Sequence, residues 1–492
     1  MNIQPDKERY EALKADRKRF PVYGEKSFPS LDPALLYQHL YAEVDDSFIL
    51  ESGKGPADTA RFSIMGKSNS VSLRMQNGRA FYTGKGESEI ALASPSDGFA
   101  RLEFEQVSPD GFPHFWGGWV GYMGYEMAEF FEHLPPRKPE GLDFPDLYFM
   151  QADRVWVYDH LQETLKYVIA VDPDTGDYED CFEEIHAVWK CIEQISIGRT
   201  QKNPASRNDE KLKHPANLQS NFTRCDYMHA VDRAKKYISD GDIYQANLSQ
   251  RFQTGFTGNP FNLYKRLREV NPSPFAGFLR FKNFCMVSSS PERLIRVEND
   301  TLETRPIAGT RPRGKTMDED RCLSAELLLN EKEKAEHLML VDLERNDMGR
   351  ICTLGSVRVT DLMFLEQYSH VIHIVSNIVG KLRPGVSVEE IIKAVFPGGT
   401  ITGCPKIRCM EIINELESTP RGPYTGSFGY IGFSRRMDLN IIIRTILVKD
   451  GQACFHVGAG IVADSDPGRE YQETLDKAAA MMKALSPVIG TH

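Results

Sequence analysis

Strand-like segments that follow one another directly along the chain are the feature that most constrains its fold. Short segments such as "RFSIMG" and "DRVWVYDH" alternate in the way typical of strands, and "GSFGYIGFS" and "LNIIIRTILVKDG" predict two neighbouring strands. The pattern lacks the strict alternation of strand and helix that a doubly wound parallel sheet requires. We therefore expect an α+β fold, a layered α/β sandwich whose large antiparallel sheets are flanked by helices.

A change of composition near residue 200 indicates two structural segments. The segment 1–197 mixes short strands and Gly-rich turns with the helix "YEDCFEEIHAVWKCIEQI", and the polar segment 198–221 has the composition of a linker. The segment 222–487 has longer elements. It opens with an amphipathic helix that ends at Gly241, followed by the strand "IYQANLSQRFQT" and a charged helix around "AELLLNEKEKAEHLMLVDLERND".

The charge balance and the apolar pattern exclude several classes of protein. The formal net charge is −10 and no long basic run occurs, so nucleic acid is not expected as a partner. No stretch approaches the roughly 18 apolar residues that span a bilayer, and the N-terminus carries charges throughout, so no membrane association is expected. The nine scattered cysteines, without a C-x-x-C pair, predict reduced thiols and a cytoplasmic location.

Two pairs of glutamates carry a chemical signal. Glu333 and Glu336 lie three residues apart on one predicted helix, and Glu470 and Glu473 lie three apart on another, so each pair projects from one helical face. If the helices met, the four carboxylates would suit Mg²⁺, a hard ion that takes a few carboxylates and leaves positions for water or substrate. The spacing alone favours two solvated helix faces, because charged faces are usually exposed.

Two glycine-rich stretches are candidate binding elements. In "VGAGIVADS", Gly458 and Gly460 would let a carboxylate approach the backbone closely, although a tight turn needs the same glycines. "FPGGTITG" lacks the G-K-[ST] of a phosphate-binding loop and predicts a permissive turn, with Thr400 and Thr402 as hydroxyl donors.

Isolated polar residues in apolar runs are further candidates. Arg444 interrupts "NIIIRTILV", where a guanidinium needs a buried acid or a ligand carboxylate as its partner. His373 in "HVIHIVSN" is either a satisfied core histidine or a proton-transfer group, and Lys477 is one helical turn from Glu473. No G-x-S-x-G motif and no cysteine in a nucleophile setting supports a hydrolase.

Several long motifs together resemble those of the chorismate-utilising enzymes. They span nearly all of residues 222–487 and include "PIAGTRPRG", "EKAEHLMLVDLERNDMGRIC", "FPGGTITGCPKIRCMEIINELE", "GAGIVADS" and "EYQETLDKA". More narrowly, the motifs look like those of the component I subunits of anthranilate synthase and aminodeoxychorismate synthase. This resemblance implies the anthranilate synthase component I fold, the dianion chorismate as substrate and Mg²⁺ as cofactor.

The resemblance also implies roles for single residues. Glu336 and Glu473 would hold Mg²⁺, with Glu333 and Glu470 supporting them. The remaining implied site residues are Gly458, Ala459, Gly460, Arg444 and Tyr424 for the second substrate carboxylate, His373 near the leaving hydroxyl, and Thr400 and Lys477 in the pocket lining.

The loop "ETRPIAGTRPRG" is implied to form a wall of the chorismate pocket through Arg305, Ala308, Gly309 and Thr310. In well-known aminodeoxychorismate synthases a lysine stands at the Ala308 position and attacks the substrate covalently. Alanine cannot do so, which favours anthranilate synthase. Asn247 in "YQANLSQRF", together with "FPGGTITG", resembles the aminodeoxychorismate branch instead.

A regulatory site is the third indicator of the branch. Anthranilate synthases bind tryptophan through "LLES" and "NPSPYM" segments. This chain keeps Glu51 and Ser52 in "ILES", but its second segment, "NPSPFAG", has Pro274 followed by Phe275 and Ala276. The lost phenol removes a hydrogen-bonding group, so we do not expect tryptophan to inhibit.

The function expected from the resemblance is amination of chorismate with ammonia. The chain has no G-x-C-x-G glutaminase motif, so the implied partner is a glutamine amidotransferase subunit. The preferred product is 4-amino-4-deoxychorismate, on the pathway to p-aminobenzoate and folate. The alternative is anthranilate plus pyruvate, for tryptophan synthesis, and a catalytically silent paralogue is the remaining hypothesis.

Overall fold

A computed structural model describes residues 2–51, 61–104, 111–139, 141–194, 217–367 and 371–486. This part of the chain forms strands β1 Asn2–Gln4, β2 Phe20–Ser27, β3 Ser47–Glu51, β4 Phe62–Lys67, β5 Ser72–Gln76, β6 Arg79–Thr83, β7 Ile90–Ala91, β8 Gly118–Met123, β9 Leu147–Ala152, β10 Arg154–Asp159, β11 Thr164–Val171 and β12 Gln219–Ser220. The later strands are β13 Gln245–Gly255, β14 Phe275–Arg280, β15 Phe284–Ser290, β16 Arg293–Glu298, β17 Thr301–Thr304, β18 Ile307–Pro312, β19 Arg358–Gln367, β20 Val371–Lys381, β21 Gly403–Cys404, β22 Ser427–Gly432, β23 Arg436–Ile441, β24 Thr445–Lys449 and β25 Gln452–Ile461.

The helices of the described residues are α1 Lys7–Ala15, α2 Pro33–Leu40, α3 Pro95–Phe99, α4 Ala128–Phe131, α5 Tyr178–Gln194, α6 Arg224–Ser239, α7 Pro260–Val270, α8 Met317–Leu329, α9 Glu331–Gly349, α10 Val388–Val395, α11 Lys406–Leu416 and α12 Pro467–Leu485. None of these helices is long and apolar enough to cross a lipid bilayer.

Two large antiparallel sheets organise the molecule. The first has 13 strands in the order β1-β2-β11-β10-β4-β3-β14-β15-β24-β25-β13-β12, with β21 beside β13. The second has 12 strands in the order β18-β20-β17-β16-β23-β22-β8-β9-β5-β6-β7, with β19 beside β20. An apolar layer that includes Ile64, Met286, Tyr122 and Phe428 joins the sheets face to face, and helices cover their outer faces. The predicted layered α+β fold is confirmed.

Both halves of the sequence contribute to both sheets. In the first sheet β3 pairs with β14, which places Glu51 opposite Ala276. In the second sheet β8 pairs with β22, which places Met123 opposite Ser427. The boundaries at 197 and 222 stay a prediction, since most of the predicted linker 198–221 lies outside the described residues.

Local sequence signals predict the elements that carry the site. The helix predicted to end at Gly241 is α6; the Thr223 side chain accepts a hydrogen bond from the Asp226 N–H at its start, and Gly241 has a φ of 84° after its end. β13 and α12 also lie where the patterns predicted a strand and a helix.

Two predicted elements are each divided in the structure. The single charged helix is two helices, α8 and α9, because Asn330 ends the first and its side chain accepts a hydrogen bond from the Glu333 N–H, 3.0 Å away, to begin the second. The single strand "NIIIRTILV" is β23 in the second sheet and β24 in the first. Arg444 lies at the crossing between the sheets, with a φ of 50°.

Candidate active site

The N-terminal half of α9 brings two acids to one end of the site. Glu336 accepts a hydrogen bond from Gln245 Nε2 at 3.0 Å. Glu333 accepts one from Arg311 Nη1 at 3.2 Å. Burial, followed by the neighbouring Glu333 and the more distant Glu473, raises the pKa of Glu336. The charge of Glu473, which is carried by α12, therefore reaches Glu336 on α9.

Helix α12 supplies the second acid pair. Glu473 forms an ion pair with Lys477 at 2.8 Å, and about half of its side chain is exposed. Burial, and then the charge of Glu473, raise the pKa of Glu470, while a hydrogen bond from Ser465 opposes them. The charge of Glu473 on α12 thus contributes to the raised pKa of Glu336 on α9. A shared metal site at the four acids stays a prediction.

The donor set is compatible with Mg²⁺ without forming a closed cage. Among the residues that the structure describes, no three His, Cys, Asp or Glu side chains group closely enough to hold a metal ion by themselves. Mg²⁺ usually keeps several waters and takes one or two carboxylates together with substrate oxygens. Glu336 and Glu473 would meet that requirement, since Glu336 lies near the negative charges of Glu333 and Glu473, which a cation would relieve.

The glycines of "VGAGIV" lie inside a strand, so the predicted turn is wrong. Gly458 and Gly460 belong to β25 and stand opposite Ser249 and Asn247 of β13. A Cβ atom on Gly458 would lie 2.4 Å from Asn247 Oδ1 and 2.8 Å from the Tyr424 hydroxyl. A Cβ atom on Gly460 would lie 2.8 Å from the amide nitrogen of Gln245. A larger residue at either position would therefore displace the polar side chains that pack onto the strand.

Ala459 and Lys477 are the other predicted site residues at this end of β25. Ala459 is fully buried and packs on the opposite face, in the apolar cluster with α6 and α11. Lys477 Nζ donates to the Gly458 carbonyl at 3.0 Å as well as pairing with Glu473. The lysine therefore links the acidic end of the site to the glycine strand.

Arg444 lies near an acid that the sequence analysis had not named. Its Nη1 donates to Asn271 Oδ1 at 3.1 Å, and among the described residues no carboxylate lies within 4 Å in an ion pair with it. Burial lowers the pKa of the Arg444 guanidinium, and the charge of Glu292 opposes that effect. Glu292 thus influences Arg444 over a longer distance than an ion pair, and a ligand carboxylate as the partner of Arg444 stays a prediction.

Glu292 is the central group that sequence reasoning missed. Its side chain is 7% exposed, and burial raises the pKa of its carboxyl to about 7, against the opposing effects of Thr400, Lys477 and Arg444. The Thr400 hydroxyl lies near this carboxyl without a hydrogen bond of ordinary geometry. The one local signal was an acid in the strand-like run "MVSSSPERLI", in which Arg293 is the only other charged residue.

His373 is buried and neutral at physiological pH. It lies in β20 opposite Thr310 of β18, with 4% of its surface exposed. Burial and the nearby Arg444 charge lower the pKa of His373 to about 4, although a hydrogen bond with the Gly309 backbone opposes them. A neutral imidazole offers an N–H donor or a nitrogen acceptor, and it carries no positive charge to the substrate.

The segment predicted as a loop around Ala308 is strand β18. Ala308 is 8% exposed and pairs with Ile374, and a bulge at Gly309 follows, with a φ of 64°. A Cβ atom on Gly309 would lie 2.9 Å from Glu333 Oε2, so the bulge brings this strand against the acidic end of the site. Arg305 pairs with Glu366, and the Thr310 side chain lies outside the described part.

The segments compared with a tryptophan site line a separate cavity of about 560 Å³. Glu51, Pro274 and Phe275 contribute to its wall, and none of the four paired glutamates does. The Glu51 carboxylate already accepts the Tyr264 hydroxyl and lies 3.3 Å from Arg268. Ser52 lies outside the described residues.

Comparison with known proteins places this geometry in a family. The family model of the chorismate binding enzymes matches residues 45–483. Anthranilate synthase component 1 of Aquifex aeolicus is 39% identical over 99% of this chain and 98% of its own length, and aminodeoxychorismate synthase component 1 of Bacillus subtilis is 42% identical over 89% and 91%. The crystal structure of anthranilate synthase component I from Streptococcus pneumoniae superposes with a TM-score of 0.76 at 33% identity, over 92% of this chain and 98% of that one. On these matches, the chain belongs to the chorismate binding enzyme family.

Proposed function

We propose that this enzyme is component I of an aminodeoxychorismate synthase, which replaces the C4 hydroxyl of chorismate by an amine. Ammonia comes from a glutamine amidotransferase partner. The observation that carries the general reaction is a site with two unlike ends. Acids stand at Glu336 and Glu473, and the glycine strand adjoins them, since a Cβ atom on Gly460 would lie 3.9 Å from Glu336 Oε1. Arg444 stands near the protonatable Glu292, which Lys477 and Thr400 also influence.

The two ends match the two carboxylates of the substrate. One carboxylate would approach the β25 backbone at Gly458 and Gly460, which carry no side chains of their own, beside the Tyr424 hydroxyl. Arg444 would supply the positive charge for it. Glu336 and Glu473 would hold Mg²⁺, which would supply the positive charge that the other carboxylate needs beside four acids. Residues Glu333 and Glu470 support this acidic end.

Departure of the C4 hydroxyl needs a proton, because hydroxide is a poor leaving group. Glu292 has a pKa of about 7, so close to half of it carries a proton at neutral pH. Its carboxyl donates this proton to the leaving oxygen, which departs as water. His373 stays neutral and positions the substrate hydroxyl by hydrogen bonding, while Thr400 faces Glu292 from the adjoining loop.

Neutral ammonia then adds to C4 and loses a proton. Ammonium is not a nucleophile, so ammonia must reach the site sheltered from water, which is the reason for a partner that produces it. Asn247 supports amination at C4, because its amide lies against Gly458 and the Tyr424 hydroxyl. An amide at this position can hold the N–H groups of an incoming amine.

Anthranilate synthase is the second candidate, and Ala308 is the observation that favours it. Ala308, which pairs with Ile374, has no nucleophilic group on its side chain. A covalent lysine route to C4 is therefore not open at this position, and addition at C2 with loss of pyruvate needs no such lysine. The relatives include both enzymes, so the product has to be measured.

The deciding experiment supplies the purified protein with chorismate, MgCl₂ and ammonium at high pH and identifies the product by mass. We expect a product that retains the enolpyruvyl group. Anthranilate formed without an added lyase would contradict the proposal and support the second candidate. Glutamine in place of ammonium serves as the control, and we expect it to support no turnover until an amidotransferase subunit is added.

A further inference from the structure

Among the described residues, one edge of β13 has only two short neighbouring strands where it passes the site. β25 pairs along the whole length of β13 on one side, whereas on the other side β21 covers only Gln245 and Ala246 and β12 covers only Phe252 and Gln253. The backbone groups between these short strands need other partners, because unpaired buried N–H and C=O groups are costly. The Asn247 N–H donates to the Thr402 carbonyl at 2.9 Å, and Arg251 bonds with Asn221; the Asn247 carbonyl and the Ser249 N–H are among the groups that remain.

Two side chains that follow helix α11 form hydrogen bonds with backbone groups on this edge of β13. Glu417 Oε1 accepts the Ser249 N–H at 2.8 Å, and Arg421 Nη2 donates to the Asn247 carbonyl at 2.6 Å. The two side chains also form an ion pair with each other at 2.6 Å. Arg421 is 1% exposed and Glu417 is 5% exposed, so the pair is fully inside the protein.

The same guanidinium reaches two other walls of the site. Its Nη1 donates to the Ile401 carbonyl at 3.0 Å, next to Thr400, and to the Thr425 hydroxyl at 3.2 Å, next to Tyr424. The guanidinium carbon lies 5.7 Å from the centre of the Tyr424 ring. One side chain thus contacts the strand, the loop and the turn that carry the proposed substrate contacts.

Stability alone is a weak reason for such a group. Burying two charges costs so much desolvation energy that a well-packed apolar pair is often equally stable. An apolar pair, however, cannot donate directed hydrogen bonds to two carbonyls and a hydroxyl in three separate segments. Arg421 does so with a planar, rigid set of donors that a lysine ammonium cannot reproduce.

We infer that Arg421, oriented by Glu417, is a positioning residue for chorismate. It sets the distance between the strand floor at Asn247 and Gly458 and the loop that carries Thr400. This inference rests on the proposed function, because the walls that it holds together are those assigned to the substrate. Misplacement by about 1 Å of groups that orient a substrate can cost roughly 10²-fold in rate.

The test compares Arg421→Lys with Arg137→Lys in the full-length protein. Arg137 also forms ion pairs with two acids, Glu129 and Asp146, but it lies outside the site. We expect Arg421→Lys to lower kcat/KM for chorismate about 10²-fold, in line with the cost of misplacement. We expect the control to keep its kinetic constants even where its melting temperature falls by a similar amount.

A chemical rescue makes the assignment specific. In Arg421→Gly, free guanidinium ions should restore part of kcat/KM in a saturable manner, and methylammonium should not. If Arg421→Lys and Arg421→Gly do not fold, Glu417→Gln takes their place, and a drop in kcat/KM at an unchanged fold is the expected result.

Two outcomes would overturn the inference for different reasons. If a folded Arg421 or Glu417 variant keeps the kcat and KM of the wild type, the role of the pair is purely structural. The proposed function would then still stand. No chorismate turnover in the wild type, with ammonium and Mg²⁺ present, would overturn the proposed function and this inference with it.

Discussion

Replacing Glu292 by Gln tests the proposed proton donor, because it removes the titrating group and keeps nearly the same shape. The pKa of this carboxyl rises from 4.5 to about 7, mainly because the side chain is buried. At pH 7 an ordinary carboxyl with a pKa of 4.5 is only about 0.3% protonated, whereas this one is close to half protonated. Burial therefore increases the proton-loaded fraction by roughly 150-fold.

The same shift predicts an effect on stability with a definite sign. The folded-state pKa lies about 2.5 units above the unfolded value, which corresponds to about 3 kcal/mol. This stabilisation is fully present below pH 4.5 and is lost as the pH rises through 7, because the unfolded chain releases its proton earlier. The Gln variant lacks this dependence, so it should gain stability relative to the wild type between pH 5 and 8.

The assay measures kcat/KM and thermal unfolding in parallel across this pH range. We expect the wild-type kcat/KM, expressed per concentration of neutral ammonia, to fall as the pH rises above about 7. Glu292→Gln should lower it by about 10²- to 10⁴-fold and flatten the profile. Glu103→Gln is the control, since burial also raises the pKa of Glu103 but its carboxylate accepts the Val388 N–H away from the site.

Two results would refute this reasoning. If Glu292→Gln retained the wild-type pH profile, Glu292 would not be the proton donor. If its stability relative to the wild type did not change between pH 5 and 8, the carboxyl would not titrate near 7, and the argument from burial would fail.

Three further predictions concern the substrate, the metal and regulation. Glu336→Gln and Glu473→Gln should abolish Mg²⁺-dependent turnover and any rise in melting temperature on adding MgCl₂ while the fold is kept; retained activity would remove them as ligands. Gly458→Ala places a Cβ atom 2.4 Å from Asn247 Oδ1, so kcat/KM for chorismate should fall by about 10²-fold, and an unchanged value would contradict a carboxylate site on this strand. Tryptophan at millimolar concentration should shift the melting temperature little, because Tyr264 and Arg268 already engage Glu51; a saturable stabilisation would contradict this.

Local patterns in the sequence predicted elements well where the signal lies in neighbouring residues. Thr223 and Gly241 delimit α6 by capping and by a positive φ, both of which are short-range effects. The three-residue spacing of the glutamates correctly put each pair on one face of a helix. The break at Asn330 was also readable in principle, since asparagine is a strong N-cap residue.

The errors arose where a distant part of the chain decides the structure. The pattern around Gly458 and Gly460 predicted a turn, because no neighbouring residue indicates that β13 pairs with them. One strand was predicted for "NIIIRTILV", because an apolar run does not reveal that its two halves belong to different sheets. Strand pairing is non-local, so period-two patterns show that a strand exists but not which strand lies beside it.

The sequence by itself determined the fold class, the family resemblance and the residue types of the site, because these depend on short motifs and on the periodicity of apolar residues. Only the tertiary structure decided that Glu292 is buried near Arg444, and that Arg421 and Glu417 complete the open edge of β13. Burial and electrostatic environment set the pKa of a carboxyl, and both come from segments far away in sequence. The chemistry of the central acid therefore belongs to the packed molecule.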